Sequence, residues 1–170
     1  MRKIIWSILI IIFFASCINN PADDLESQIS DLENQLFEQK EGVIDKKEAA
    51  NMIHLYLSFV NEYPNNDKAP VFLFKAADVS INTFHSDQTI KLFNQLIKDY
   101  PNYEKAPQAL FLKAFTYENY LNQMDSAKVS YELFLKKYPE HFFANDAKVS
   151  LNNLGKSPEE IINALKQGNP

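Results

Sequence analysis

YPNNDKAPVFLFKAA at 63–77 and YPNYEKAPQALFLKA at 100–114 are nearly the same text, 37 residues apart. Nine of the fifteen aligned positions are identical, and a third Tyr-Pro pair, Tyr138-Pro139, follows 38 residues later. Self-similarity at a fixed period of roughly 20–50 residues marks a stack of like units, each too small to bury its own apolar face. The prolines explain part of the repetition. Each disfavours helical geometry in the residue before it, so Tyr63, Tyr100 and Tyr138 predict helix ends. Pro70 and Pro107 fall in the first turn of the next helix, where a missing N–H goes unneeded.

Working outward, each unit divides into two helices. Leu73, Ala76, Ala77, Ser80 and Phe84 share one helical face, as do Leu110, Ala114, Tyr117 and Leu121. After a polar break, Ile90, Phe93, Leu96 and Ile97 form a second face, with Ala127, Tyr131, Phe134 and Leu135 as its counterpart. Asp87 and Asp125 are the expected N-caps, because a short carboxylate accepts the free amide protons of a first turn. A third unit follows Tyr138-Pro139, with a helix over Phe142–Leu154 and a left-handed stop at Gly155. Ser157-Pro158-Glu159-Glu160 has the form of a capping box. The helix it opens, Pro158–Lys166, is expected to close the stack with a polar outer face.

These residues resemble tetratricopeptide repeats, over about 63–167, in units of 63–99, 100–137 and 138–167. Ala114, Tyr117, Ala127, Tyr131 and Pro139 stand at that family's characteristic sites. Ala77, Thr89, Phe93 and Pro101 stand there one unit earlier, with Thr89 replacing the usual alanine. The resemblance implies an all-α, α–α superhelix of three to four helical hairpins. The longer, Tyr-Pro-ended unit is similar to exported proteins of the bacterial envelope. Examples are the outer-membrane barrel-assembly lipoprotein and the coiled-coil protein of the Tol–Pal system.

Residues 24–62 admit two readings. Leu25, Ile29, Leu32, Leu36 and Val43 lie at heptad spacing, with Gln39 breaking the seam, as in a short coiled coil. Alternatively, 24–41 is the first helix of a degenerate leading repeat whose second helix, Asp45–Glu62, ends at Tyr63-Pro64. The hairpin is preferred, since under three heptads is marginal alone.

Residues 1–16 carry Arg2 and Lys3, a mostly apolar stretch Ile4–Phe14, then Ala15 and Ser16 before Cys17. Eleven residues at about 1.5 Å each reach roughly half of a hydrocarbon core of about 30 Å, so a secretory signal is expected rather than a span. Phe14-Ala15-Ser16-Cys17 resembles the lipobox of bacterial lipoproteins, with Phe14 where that family prefers Leu. The resemblance implies acylation of Cys17, the only cysteine, and a lipidated tether over 17–23. Ile18 rather than Asp after Cys17, with Asp23 and Asp24 further on, implies an outer-membrane location facing the periplasm.

Removal of 1–16 takes away two basic residues and no acid, leaving 15 basic against 22 acidic side chains. An acidic chain with no basic run is not built for nucleic acid. Arg2 is the only arginine, so the mature chain has no guanidinium for a bidentate anion clamp. Three glycines leave no phosphate-cradling loop. His54 is expected to be partly buried. His85-Ser86-Asp87, adjacent in a turn, has no triad geometry, and His141 reads as a solvated neighbour of a helix start. No metal-ligand spacing and no cofactor motif occurs, so neither a metal nor a cofactor is expected beyond the lipid, and no enzyme activity.

The resemblance further implies a groove lined by first helices. Phe74, Lys75, Asp78 and Asn82 would face it from one repeat, and Phe111, Phe115, Glu118 and Asn119 from the next. Family members that clamp a C-terminal carboxylate carry Lys and Asn where Phe74 and Phe111 stand, so that activity is not implied. Phe74 and Phe111 can equally be packing residues. The function expected is a lipid-anchored scaffold that binds envelope proteins, possible roles being outer-membrane assembly or envelope maintenance. The alternatives are a structural oligomer through 24–43 and a non-catalytic subunit of an envelope enzyme complex.

Overall fold

The computed structural model describes residues 21–38, 45–84 and 87–166, the side chains of 37, 38 and 165 excepted. The signal segment, Cys17, most of the tether, Gln39, Val43, His85 and Ser86 lie outside the described residues. Eight helices follow one another: α1 (Pro21–Glu38), α2 (Lys46–Glu62), α3 (Ala69–Thr83), α4 (Asp87–Asp99), α5 (Ala106–Asn119), α6 (Met124–Lys137), α7 (Ala144–Asn153) and α8 (Pro158–Lys166). No strand occurs among the described residues. Successive helices from α1 to α7 pack on one another in an all-α, α–α superhelix. None of the described helices is long and apolar enough to cross a membrane.

Tyr-Pro ends three helices as the sequence predicts, and the turn after it is the same each time. The Asn66 and Ala69 N–H groups donate to the Tyr63 and Asn66 carbonyls at 3.0 and 2.9 Å. Tyr103 and Ala106 repeat this at 3.1 and 2.9 Å, and His141 and Ala144 at 3.2 and 2.8 Å. Pro70 and Pro107 occupy the first turns of α3 and α5. Gly155 adopts φ +76°, the left-handed geometry that a side chain would strain. Ser157 and Glu160 close a reciprocal capping box at 2.7 and 3.2 Å. Asp45 and Glu48 close another at the start of α2.

Ala77 and Ala114 are wholly buried where paired helices approach. Thr89, the residue that departs from alanine, is also wholly buried, and its hydroxyl meets Ser80 Oγ at 2.6 Å. One unit later those two positions hold Ala127 and Tyr117, so the buried polar pair becomes a small–large pair. Tyr131 is wholly buried and donates to Glu118 at 2.7 Å. The corresponding residues one unit earlier, Phe93 and Ile81, are both apolar and both in the core. Two buried clusters run through the stack and meet at Ile97 and Leu112, so the core is continuous.

Several expectations need correction. Helix α1 begins at Pro21, inside the stretch read as a tether, because proline suits a first helical turn. Neither Asp87 nor Asp125 is an N-cap: α4 already begins at Asp87, which lies in its first turn. Asn122 takes φ +52° and α6 starts at Met124, which puts Asp125 in the first turn, where its charge favours the helix N-terminus. Helix α7 is shorter than Phe142–Leu154, because the turn after Tyr138 consumes Phe142 and Phe143. His54 is exposed rather than partly buried. Helix α8 packs only marginally on its neighbours and leaves Ile162 half exposed, so it is a loose end rather than a tight cap. The ten-residue α7 buries only Ala144 and Ala147, which gives α8 little apolar ridge to grip.

Candidate partner-binding face

Helix α1 turns its apolar stripe inward. Ala22, Ile29 and Leu36 are buried at spacings of seven, with Leu25 and Leu32 partly buried beside them. The described part of the heptad pattern is therefore spent on the chain's own core. On the flank of that stripe Glu26 pairs with Lys68, and Glu33 pairs with Lys75 of α3 at 2.7 Å. Glu33 also accepts from the Tyr56 hydroxyl at 2.6 Å. Lys75 lies 6.0 Å from the Tyr56 ring and 5.8 Å from the Phe72 ring, so one ammonium serves a carboxylate and two aromatic faces. Burial and the Glu33 carboxylate push the Tyr56 hydroxyl far above the ordinary phenol range.

Between α1 and α3 lies a cleft of about 620 Å³. Asp23, Glu26, Asp31 and Glu33 line it from α1, and Val71, Phe72, Lys68 and Lys75 from the α3 side. A second depression of about 560 Å³ sits between the Tyr63 and Tyr100 turns, walled by Asn61, Asn65, Asn66 and Pro70. It involves none of the side chains expected on the groove.

Further along the row of first helices, the expected residues separate into two groups. Asp78, Asn82 and Asn119 are exposed, with Lys75, Phe115 and Glu118 half-buried. Asp78 is open to water yet crowded by protein. Loss of hydration raises its carboxyl above the usual range, and Lys105 pulls the other way. Asn82 and Asn119 stand one unit apart and donate to the carbonyls of Asp78 and Phe115, at 2.8 and 3.1 Å. Lys113 lies 6.0 Å from the Tyr117 ring, and desolvation depresses its ammonium pKa.

Phe74 and Phe111, placed on the groove by resemblance, are buried instead, each 8% exposed. The reason is the turn of the following unit, which folds over each ring. Tyr103 meets Phe74 edge-on at 6.5 Å, and the Lys105 ammonium sits 5.3 Å from its centre. Phe143, one unit on from Lys105, stacks on Phe111 at 4.5 Å and 2°. Val149 holds the same place in α7 and is half exposed. Sequence reasoning missed the lysine and aromatic lids because they come from the next repeat.

No group of three metal-ligating side chains occurs among the described residues. His141 is half-buried, its Nδ1 accepting the Phe143 N–H at 3.2 Å and its ring edge-on to Phe134. It is packed into the turn rather than solvated.

The tetratricopeptide repeat family matches residues 72–103 and 108–141. No curated protein matches the chain. Both stretches run from a first helix, through its partner, to the next Tyr-Pro turn. The α3–α4 and α5–α6 hairpins are thus similar to tetratricopeptide repeats in sequence as well as in shape.

Proposed function

We propose that the chain is a non-catalytic scaffold of the bacterial envelope, held to the outer membrane by a lipid on Cys17 and facing the periplasm. Protein partners bind along the row α1, α3 and α5. The observation that carries this reading is the contrast along that row. A core of wholly buried residues fixes the helices, while Lys75, Asp78, Asn82, Phe115, Glu118 and Asn119 remain open or half-open upon them. Repeats of this family typically serve protein–protein interaction, which supports the same reading. Anchoring rests on the signal-like stretch Arg2–Phe14 and on Phe14-Ala15-Ser16-Cys17. Two or three acyl chains at about 0.8 kcal/mol per buried CH₂ hold a protein stably, where one chain does not.

The test has two parts. Fatty-acid labelling of the native chain and of Cys17→Ala should show label only on the native chain; label on the variant ends the anchoring reading. Photo-crosslinkers at Asp78 and Asn119 should capture the same partner in membranes. Capture from the opposite face instead, with crosslinkers at Lys91 and Lys128, would overturn the choice of surface.

A further inference from the structure

Helix α1 carries six acidic side chains over Pro21–Glu38 and no lysine or arginine. Two of them, Glu26 and Glu33, are neutralised by Lys68 and Lys75 across the cleft. Asp23 and Asp31 line the same cleft and make no ion pair among the described residues. Both lysines on the cleft wall are thus already committed, and the surplus charge on its rim is negative. The walls below are apolar: Ile29 and Phe72 are nearly covered and Val71 is half-buried. Such a slot suits side chains with an aliphatic stem and a cationic head, since the stem lies on the apolar wall and the head stays at the rim.

From this geometry we propose that the α1–α3 cleft takes an extended segment of a partner protein bearing two lysine or arginine side chains four residues apart. The spacing follows from the two backbones. Asp23 and Asp31 are eight helical residues apart, about 12 Å at a rise of about 1.5 Å. An extended chain covers about 13 Å in four residues, and side chains four apart point to the same side. A helical partner would need its two cations about eight residues apart to span the same distance, so a spacing of four marks an extended segment. The cleft, at about 620 Å³, holds a short run of extended residues rather than a globular surface. Electrostatic complementarity of this kind fixes register and raises the association rate. The proposal deepens the scaffold reading and rests on it.

The test uses the purified full chain and fluorescence anisotropy with labelled nonapeptides of Val, Thr and Ser. One peptide has lysines four apart, one has adjacent lysines, and one has glutamates four apart. Saturable binding of the first, at least tenfold tighter than of the other two, is expected. Asp23→Lys/Asp31→Lys should weaken it at least tenfold. Asp24→Lys/Glu132→Lys changes net charge equally outside the cleft and should leave it within twofold. All four sites are exposed, so circular dichroism should confirm that both variants fold. Equal loss in both variants would mean undirected charge attraction and overturn the proposal, as would absence of saturable binding. If Asp78 and Asn119 crosslinks form in the native chain while the peptides fail to bind it, the cleft assignment falls and the scaffold reading stands. Crosslinks that fail in the native chain count against the scaffold reading itself.

Discussion

Ser80 Oγ and Thr89 Oγ1 lie 2.6 Å apart, and neither residue is exposed to solvent. Each hydroxyl is the other's partner across the α3–α4 contact. Thr89→Val keeps the shape and strands Ser80, so a loss of about 1–3 kcal/mol is expected, the usual range for an unsatisfied buried hydroxyl. Ser80→Ala/Thr89→Val should cost less than the two single changes together. Urea midpoints of the four chains complete the cycle, and strict additivity would show that the pair is not coupled.

Phe111 and Phe115 lie one helical turn apart on α5 and should respond differently to truncation. Phe111 is sealed beneath Phe143 and beside Phe134 and Tyr131. Phe111→Ala is therefore expected to cost about 3–5 kcal/mol. Phe115 is half-buried beside Tyr120, and Phe115→Ser should cost about 1 kcal/mol, because only part of the ring leaves water on folding. If partner capture is lost in Phe115→Ser while its melting temperature barely moves, the ring is a contact residue. Comparable collapse of both variants would make Phe115 a core residue too.

Ala114 is wholly buried at the α5–α6 contact. Ala114→Leu must push those helices apart or force a strained rotamer, which is expected to cost about 1–3 kcal/mol. An unchanged urea midpoint would mean that the two helices are not in close approach there.

The parts of this fold that could be read in advance are those written twice, together with α2 and α8, whose ends carry a Tyr-Pro stop and a capping box. Helices α3 to α6 follow from the Tyr-Pro recurrence and from apolar spacing, both local signals. Contacts between units have no such signature. Glu33 reaches Tyr56 and Lys75, 23 and 42 residues away, and nothing near Glu33 announces it. The resemblance leaves Phe74 and Phe111 open between groove and core, because the side chains that cover them, Lys105 and Phe143, differ in type and belong to the next turn. The weak seating of α8 was hidden by a well-formed capping box, which specifies a helix start and not a neighbour.

Alkaline pH should destabilise the protein through two tyrosines. Burial, together with neighbouring carboxylates, raises the hydroxyls of Tyr56 and Tyr131 above their ordinary value. In the unfolded chain a tyrosine ionises near pH 10, roughly, while in the folded chain these two stay protonated. Their contribution is therefore complete below about pH 10 and is lost as pH rises beyond it. Urea midpoints from pH 8 to 11.5 should fall steeply for the native chain and less steeply for Tyr56→Phe/Tyr131→Phe. Parallel curves would show that these hydroxyls ionise freely in the folded state.

The turn after each Tyr-Pro keeps its hydrogen bonds although Asn66-Asp67-Lys68 becomes Tyr103-Glu104-Lys105 and then His141-Phe142-Phe143. The joint thus depends on its Tyr-Pro opening and on the alanine that begins the next helix, and it is indifferent to the four residues between. A second copy of 100–137 placed before Tyr138 would meet the same joint at both seams. Gene duplication could lengthen this protein by a whole hairpin at a time without inventing a turn, while each new joint offers four variable positions for lidding the aromatic ring of the unit before it.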